Sequence, residues 1–283
     1  MALADGPSLR QQIERLDDEI QDRVMARALL VLEAESGLAE APQAALSRAL
    51  NEIAVLRRLA SRHHGPLPFT TIARIWREVI LGTATIRHPV HVAVYEEDPA
   101  ARDTARDHFG ATPLTGYRSI GQVIRAVTER TAQIGLLPLP REEDTDPWWR
   151  QLLSREADAP RIVARLPFLP HPSNRPEGGR FGTDMLAIAC GQPDTDACER
   201  ALIAFELAPE ISRARLISQL ELAGFSPYFL ALHTRDDHRL ALVGVKGPVA
   251  LDDARFQPLT SAFDPPLGRI FHLGGYREPF VLG

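Results

Sequence analysis

LRQQIERLDDEIQDRV, residues 9–24, decides how the front of this chain is read. Its apolar positions, Leu9, Ile13, Leu16, Ile20 and Val24, step by 4, 3, 4 and 4. That spacing lays one stripe along a helix and does not fit the two-residue alternation of a half-buried strand. Gly37 and Pro42 interrupt the pattern, and Leu46, Leu50, Ile53, Leu56 and Leu59 carry a second helix that ends near His64 and Gly65. Beyond Pro66 and Pro68, Thr70 or Thr71 can cap a third helix whose buried face carries Ile72, Ile75, Val79 and Ile86. Residues 1–88 are therefore expected to form an all-α, three-helix domain.

The pattern changes at Pro89. VHVAVY at 90–95 is β-rich, residues 99–109 and 120–132 are helical, and IGLLPLP at 134–140 is a short apolar run. Strands are expected at Arg161–Phe168 and Met185–Ala189, joined by the loop HPSNRPEGGRFG at 171–182. This alternation implies an α/β lobe with a parallel sheet over residues 89–196. The GGRFG stretch has neither the strand-to-helix setting nor the terminal lysine of a phosphate-binding loop, so it is read as a connector. Residues 197–283 then run strand (ALIAFEL), helix (Ser212–Ala223), strand (PYFLAL), strand (RLALVGV), helix (Asp252–Phe263) and strand (RIFHLGGY). That is the βαββαβ order of a ferredoxin-like domain.

Composition narrows the function. A length of 283 residues allows two or three units with cores of their own, and 45% hydrophobic with 24% charged residues leaves no room for long disorder. A net charge of −5 and a pI near 6.0 give no electrostatic footprint for nucleic acid. The start, MALADGPSLRQQ, lacks a basic segment ahead of an apolar one, and no run approaches the ~18 apolar residues that span a bilayer, so a cytoplasmic protein without membrane contact is expected. Cys190 and Cys198 lack the paired spacing of a zinc site, and they make no disulfide framework. Trp148 and Trp149 read as a packing anchor. Lys246 is the one lysine in the chain.

LRQQIERLD at 9–17, followed ten positions later by Arg27, resembles the first helix of the all-helical chorismate mutases, with its pattern L-R-x-x-I-x-x-L-D and a second arginine. NEIAVLRRL at 51–59 resembles that family's R-E-x-x-x-L-x-x-L, and IARIWREVILGTATIR at 72–87 stands in place of its third helix. The domain order resembles the bifunctional chorismate mutase/prephenate dehydratases, which continue with a dehydratase domain and a βαββαβ regulatory (ACT) domain. The dehydratase motifs are altered: VYEEDPAARD replaces the G-P-x-G-T-F loop, and PLPRE at 138–142 replaces P-I-E-N-S. ISRARL and LALHTR stand where the regulatory domain has its phenylalanine-binding motifs.

The resemblance implies an isomerase that converts chorismate to prephenate in phenylalanine and tyrosine biosynthesis, with no dehydratase activity. The rearrangement is pericyclic and needs no cofactor, no metal and no nucleophile, only positioning and charge. Arg10 and Arg27 match the two arginines that grip the dicarboxylate substrate. Glu52 and Thr83 fit the family's pattern, Asn51 replaces an arginine, and Arg48 falls at or near the aspartate that helps bind the substrate hydroxyl. The family's lysine position falls near Leu38, and Arg87 occupies its glutamine position. Arg87 and Glu52 are thus the expected catalytic residues, with Arg10, Arg27, Arg48, Asn51 and Thr83 binding substrate. The same altered set also fits a catalytically inactive descendant that binds an aromatic-pathway metabolite or a partner enzyme. A homodimer through the first helix is implied in either case, because a helix of ~28 residues is ~42 Å long and outreaches one small bundle.

Overall fold

The computed structural model describes residues 8–36, 52–86, 89–97, 99–169, 184–191, 198–235, 238–250 and 252–279. The chain opens with α1 (Leu9–Ser36), α2 (Glu52–Arg62) and α3 (Phe69–Thr85). There follow β1 (Val92–Tyr95), α4 (Pro99–Phe109), β2 (Leu114–Tyr117), α5 (Ile120–Thr128) and β3 (Ile134–Pro138). A 3-10 helix (Trp148–Leu152) leads to β4 (Pro160–Leu166) and β5 (Met185–Cys190). The last part is β6 (Arg200–Leu207), α6 (Arg213–Leu222), β7 (Pro227–Arg235), β8 (His238–Lys246), α7 (Phe256–Ser261) and β9 (Ile270–Tyr276).

The nine strands form one mixed sheet in the order β2-β1-β3-β5-β4-β9-β6-β8-β7. β2, β1 and β3 are parallel, as their helical crossovers α4 and α5 require. β3, β5 and β4 run antiparallel, as do β9, β6, β8 and β7. The two halves of the sheet join where β4 meets β9 in parallel, through one residue pair, Ile162 and Gly274. Gly274 sits at φ +114°, and a Cβ there would stand 2.1 Å from the Ile162 carbonyl oxygen, so only glycine admits this approach. Local signals fix the helix starts: the Ser119 hydroxyl accepts from Gln122 N at 3.3 Å ahead of α5, and that of Ser212 from Arg215 N at 3.2 Å ahead of α6.

Three apolar clusters hold the layers. On one face of the first half, Ile53, Leu56, Phe69, Ala73 and Leu81 from α2 and α3 pack with Val92, Val94, Ile134, Leu136 and Phe168. On the opposite face, α5 and the 3-10 helix pack with Ile162 and Ile188 and also with Leu202, Leu242, Phe271 and Leu273 of the second half. Trp148 and Trp149 are 4% and 0% exposed there, and truncating such a side chain to alanine costs roughly 3–5 kcal/mol. The third cluster lies under α6 and α7, around Phe205, Leu216, Leu220 and Phe263.

This overturns the expected architecture of an all-α three-helix domain followed by an α/β lobe and a separate ferredoxin-like domain. α2 and α3 enclose no core of their own, because their apolar faces are buried in the same cluster as β1 and β3. α1 contributes little: Leu9, Ile13, Leu16 and Ile20 are 79%, 59%, 51% and 61% exposed. The strand–helix–strand–strand–helix–strand order of the C-terminal part is present, but its sheet continues into that of the first half. The period of an apolar stripe tells which face of a helix must be covered and leaves open what covers it.

Candidate functional site: an arginine-lined groove

The sequence-predicted residues that the structure describes scatter. Arg10 sits in the first turn of α1, paired with Glu14 at 2.9 Å and 88% exposed, a surface pair of little energetic weight. Arg27 lies ~25 Å farther along the same helix axis, so the two guanidiniums cannot grip one small ligand within one chain. Arg27 is half-buried, its Nη1 has no hydrogen-bond partner among the described residues, and burial, followed by the neighbouring Arg58, lowers its pKa. The hydroxyl of buried Thr83 donates to Val79 O at 2.7 Å. Arg48, Asn51 and Arg87, together with Leu38, lie outside the described residues.

Glu52 is brought together with two residues that sequence reasoning did not flag. It starts α2 with its side chain 1% exposed, and Arg77 of α3 donates Nε to Glu52 Oε1 at 3.2 Å and Nη1 to Asp107 O at 3.1 Å. His108 of α4 completes the cluster, with Nε2 3.9 Å from Glu52 Oε1. Glu52 Oε2 and His108 Nδ1 are buried without a partner among the described residues. Burial pushes the Glu52 pKa up to about 7 against the opposing pull of Arg77, and burial together with Arg77 holds His108 well below the usual imidazole range. His108 also packs edge-on to Phe109 and Phe168. The neighbours of Glu52 are thus a helix-to-helix ion pair and a buried imidazole. The spacing Ala73, Arg77, Leu81 places Arg77 on the buried face of α3, a signal readable in the sequence.

An open concavity lies elsewhere, beside the 3-10 helix at the end of the second half's sheet. It measures about 620 Å³ and is lined by Arg150, Leu153, Glu206, Leu207, Arg239, Leu240, Gly268, Arg269 and Phe271, among others. β6 ends, β8 begins and β9 is entered here, since Glu206 pairs with Leu240 and Phe205 with Ile270. Three arginines thus face one glutamate. Arg269 is neutralised by Glu206, with Nε to Oε1 at 2.9 Å and Nη2 to Oε1 at 2.7 Å. Arg150 has one contact of 3.2 Å to Asp146, whose side chain is 89% exposed. Arg239 is held by carbonyls, with Nη1 donating to Pro209 O and Ile211 O, both at 2.9 Å, and its Nε is buried without a partner among the described residues. The floor is Phe271, 6% exposed, with the guanidinium carbons of Arg269 and Arg155 at 5.5 and 6.0 Å from its ring centroid. Among the described residues of the lining Glu206 is the one carboxylate, and no serine, cysteine or histidine joins it, so these residues suit the holding of an anion. Among the described residues no group of three or more His, Cys, Asp or Glu could hold a metal ion. Nor is any helix among them long and apolar enough to cross a membrane.

No family model matches the chain. Two curated proteins are similar in sequence, both bifunctional chorismate mutase/prephenate dehydratases. That of Stutzerimonas stutzeri is 27% identical over 138 residues, 47% of this chain and 38% of its own length. That of Pseudomonas aeruginosa is 27% identical over 140 residues, with the same shares. The chain thus spans well under half the length of the curated relatives it matches, and over that part it is homologous to them. Among solved structures, prephenate dehydratase from Streptococcus mutans aligns over 66% of this chain and 97% of its own, at 15% identity and TM-score 0.48. GqqA, described as a quorum-quenching acylase, aligns over 66% and 94% at 15% identity and TM-score 0.47. Prephenate dehydratase from Arthrobacter aurescens in complex with L-Phe aligns over 69% and 93% at 10% identity and TM-score 0.45.

These findings overturn the isomerase expectation. A helical mutase needs a helical bundle with its own interior, and α2 and α3 instead give their apolar faces to the sheet. The inactive-mutase alternative loses its basis with the fold it presupposed. The expected lack of dehydratase activity finds no support either, because the curated relatives carry both activities in their names.

Proposed function

We propose that this chain binds a small organic anion, a carboxylate on an apolar body, in the arginine-lined groove, and that it serves aromatic amino-acid biosynthesis through that binding. The observation that carries the reading is Arg239, a permanent cation in the groove lining that has carbonyls but no carboxylate as partners among the described residues, and whose buried Nε–H has no partner among them. A buried donor without an acceptor is costly, roughly 1–3 kcal/mol, and a ligand carboxylate would remove that cost. A groove of about 620 Å³ falls within the size range of small-molecule sites. The pathway is supported by kinship with the bifunctional enzymes over 47% of the chain. The exposed stripe of α1 supports assembly as a homodimer through that helix.

Calorimetric titration with prephenate and with phenylpyruvate tests the reading. The protein should bind at least one of them, and Arg239→Ala should weaken that binding by about 10- to 100-fold, the weight of a charge-assisted hydrogen bond. Wild-type protein that binds neither, or an Arg239→Ala variant that binds like wild type, would remove the groove from consideration. Assaying the prephenate incubation for protein-dependent phenylpyruvate separates binding from dehydration.

A further inference from the structure

Apart from the arginine-lined groove, a cavity of about 330 Å³ opens where β1 and β2 begin. One wall is the C-terminal half of α3, with Glu78, Gly82 and Thr85. The other is formed by the segments that lead into the two strands, with Val90, His91 and Thr112 among their residues. A hydrogen bond from Val92 N to Pro113 O at 2.9 Å ties those segments together. α3 ends at this cavity and the residues that follow α4 line it, so the carbonyl ends of two helices lie beside it. Such ends carry partial negative charge, which a basic residue in the last turn answers. α4 has Arg106 there, and α3 has no basic residue.

Exposed glutamates are ordinary, and two glycines set this one apart. A Cβ on Gly110 would stand 2.1 Å from Glu78 Oε1, so a side chain there would push the carboxylate away from the end of α4. Held against Gly110, Glu78 has no hydrogen bond or ion pair among the described residues. Gly82 lies one turn farther along the same face of α3 and is its neighbour. Glycine is a poor helix former, and a Cβ at Gly82 would meet nothing within 4 Å, so no close packing calls for it. A side chain at this position would lean back over the preceding turn, towards Glu78, and its absence keeps the cavity open. We propose that this cavity binds a small organic ammonium ion, with the charged nitrogen on Glu78 and the hydrocarbon body over Gly82 and against Leu81. One carboxylate is too few for a bare metal ion, which draws several oxygen ligands, whereas one charge beside an apolar wall matches one ammonium group on a hydrocarbon.

Benzylamine and benzyl alcohol share a body and differ in charge, and the full chain is titrated with each at neutral pH by calorimetry and by backbone amide shifts. Benzylamine should bind about three- to tenfold more tightly than benzyl alcohol, the range between an exposed ion pair and a charge-assisted hydrogen bond. It should shift the amides of Gly82, His91 and Thr112. Glu78→Gln should bring benzylamine down to the affinity of benzyl alcohol, at an unchanged thermal midpoint because the side chain is exposed and unpaired. Gly82→Leu should abolish binding of both probes, at a midpoint no lower than wild type, since leucine is the better helix former and the space beside Gly82 is empty. Equal affinities in the wild-type protein, benzylamine binding that survives Glu78→Gln, or amide shifts that map to the arginine-lined groove would overturn the proposal. So would failure of benzylamine to bind at millimolar concentration. None of these results bears on anion binding in the groove.

Discussion

Replacing Arg77 by methionine keeps the apolar stem of the side chain and removes the guanidinium, which leaves Glu52 with both oxygens unpaired at 1% exposure. Two hydrogen bonds go, to Glu52 Oε1 and to Asp107 O. Stranding one charge of a buried pair costs about 3–5 kcal/mol, and the protein limits that cost by protonating the carboxyl. Glu52 already titrates at about 7 with Arg77 in place, so without it the acid form holds to higher pH. Near pH 8 the loss should be ~3–5 kcal/mol, and near pH 5, where a neutral carboxyl lacks a partner, ~1–3 kcal/mol. The double variant Glu52→Leu/Arg77→Met exchanges the pair for apolar volume and should fall within ~1 kcal/mol of wild type at both pH values. Urea denaturation followed by tryptophan fluorescence reads all three, since Trp148 and Trp149 are buried in the core. An Arg77→Met loss below ~1 kcal/mol near pH 8, or a double variant as weak as the single one, would refute the claim that this pair fixes α2 to α3.

The same cluster makes a signed pH prediction. Glu52 has its folded pKa raised from 4.5 to about 7, so its contribution is full below pH 4.5 and is lost as pH rises towards 7, while His108, lowered from 6.5, contributes above 6.5 and loses that as pH falls. In the wild-type protein the two oppose each other between 4.5 and 6.5, so Glu52→Gln should steepen acid destabilisation and His108→Phe should flatten or invert it, by at most ~1.4 kcal/mol per pH unit for one proton. A variant curve parallel to wild type across that window would contradict the assignment. The proposed assembly through α1 predicts a dimer by light scattering at micromolar concentration and a monomer for Leu16→Glu/Ile20→Glu, both positions being exposed in one chain. A monomeric wild-type protein would end that proposal.

Much of the element list was legible and the packing was not. The alternation in VHVAVY, the apolar period of residues 120–128 and the βαββαβ order after residue 199 are local, and local period survives any tertiary arrangement. What α2 and α3 pack on is decided by residues such as Val92, Ile134 and Phe168, far away in sequence. Glu52 shows the same limit: a motif position identified the residue, whereas the fold supplied Arg77 and His108 as its neighbours. Arg150, Glu206, Arg239 and Arg269 come from separate segments, and in a chain with one lysine among 32 basic residues no individual arginine stands out. The signal that could have raised Arg239 and Arg269 is positional, as both stand where a strand of the second half begins.

The single-pair joint between β4 and β9 has a consequence for how such a chain can change over generations. Register passes from strand to strand through hydrogen-bonded ladders, and a slip of one residue turns every side chain to the opposite face. A ladder of one pair hands almost none of that register on. Insertions or deletions in the loops of either half can therefore be absorbed there without turning the other half's core residues out to water. What the halves must keep in common is the shape of the side chains they press together, Ile162 and Trp149 against Leu202 and Leu273. Surface complementarity tolerates recombination better than shared register does, so a scaffold jointed in this way can shed or gain segments on one side while the other is inherited intact.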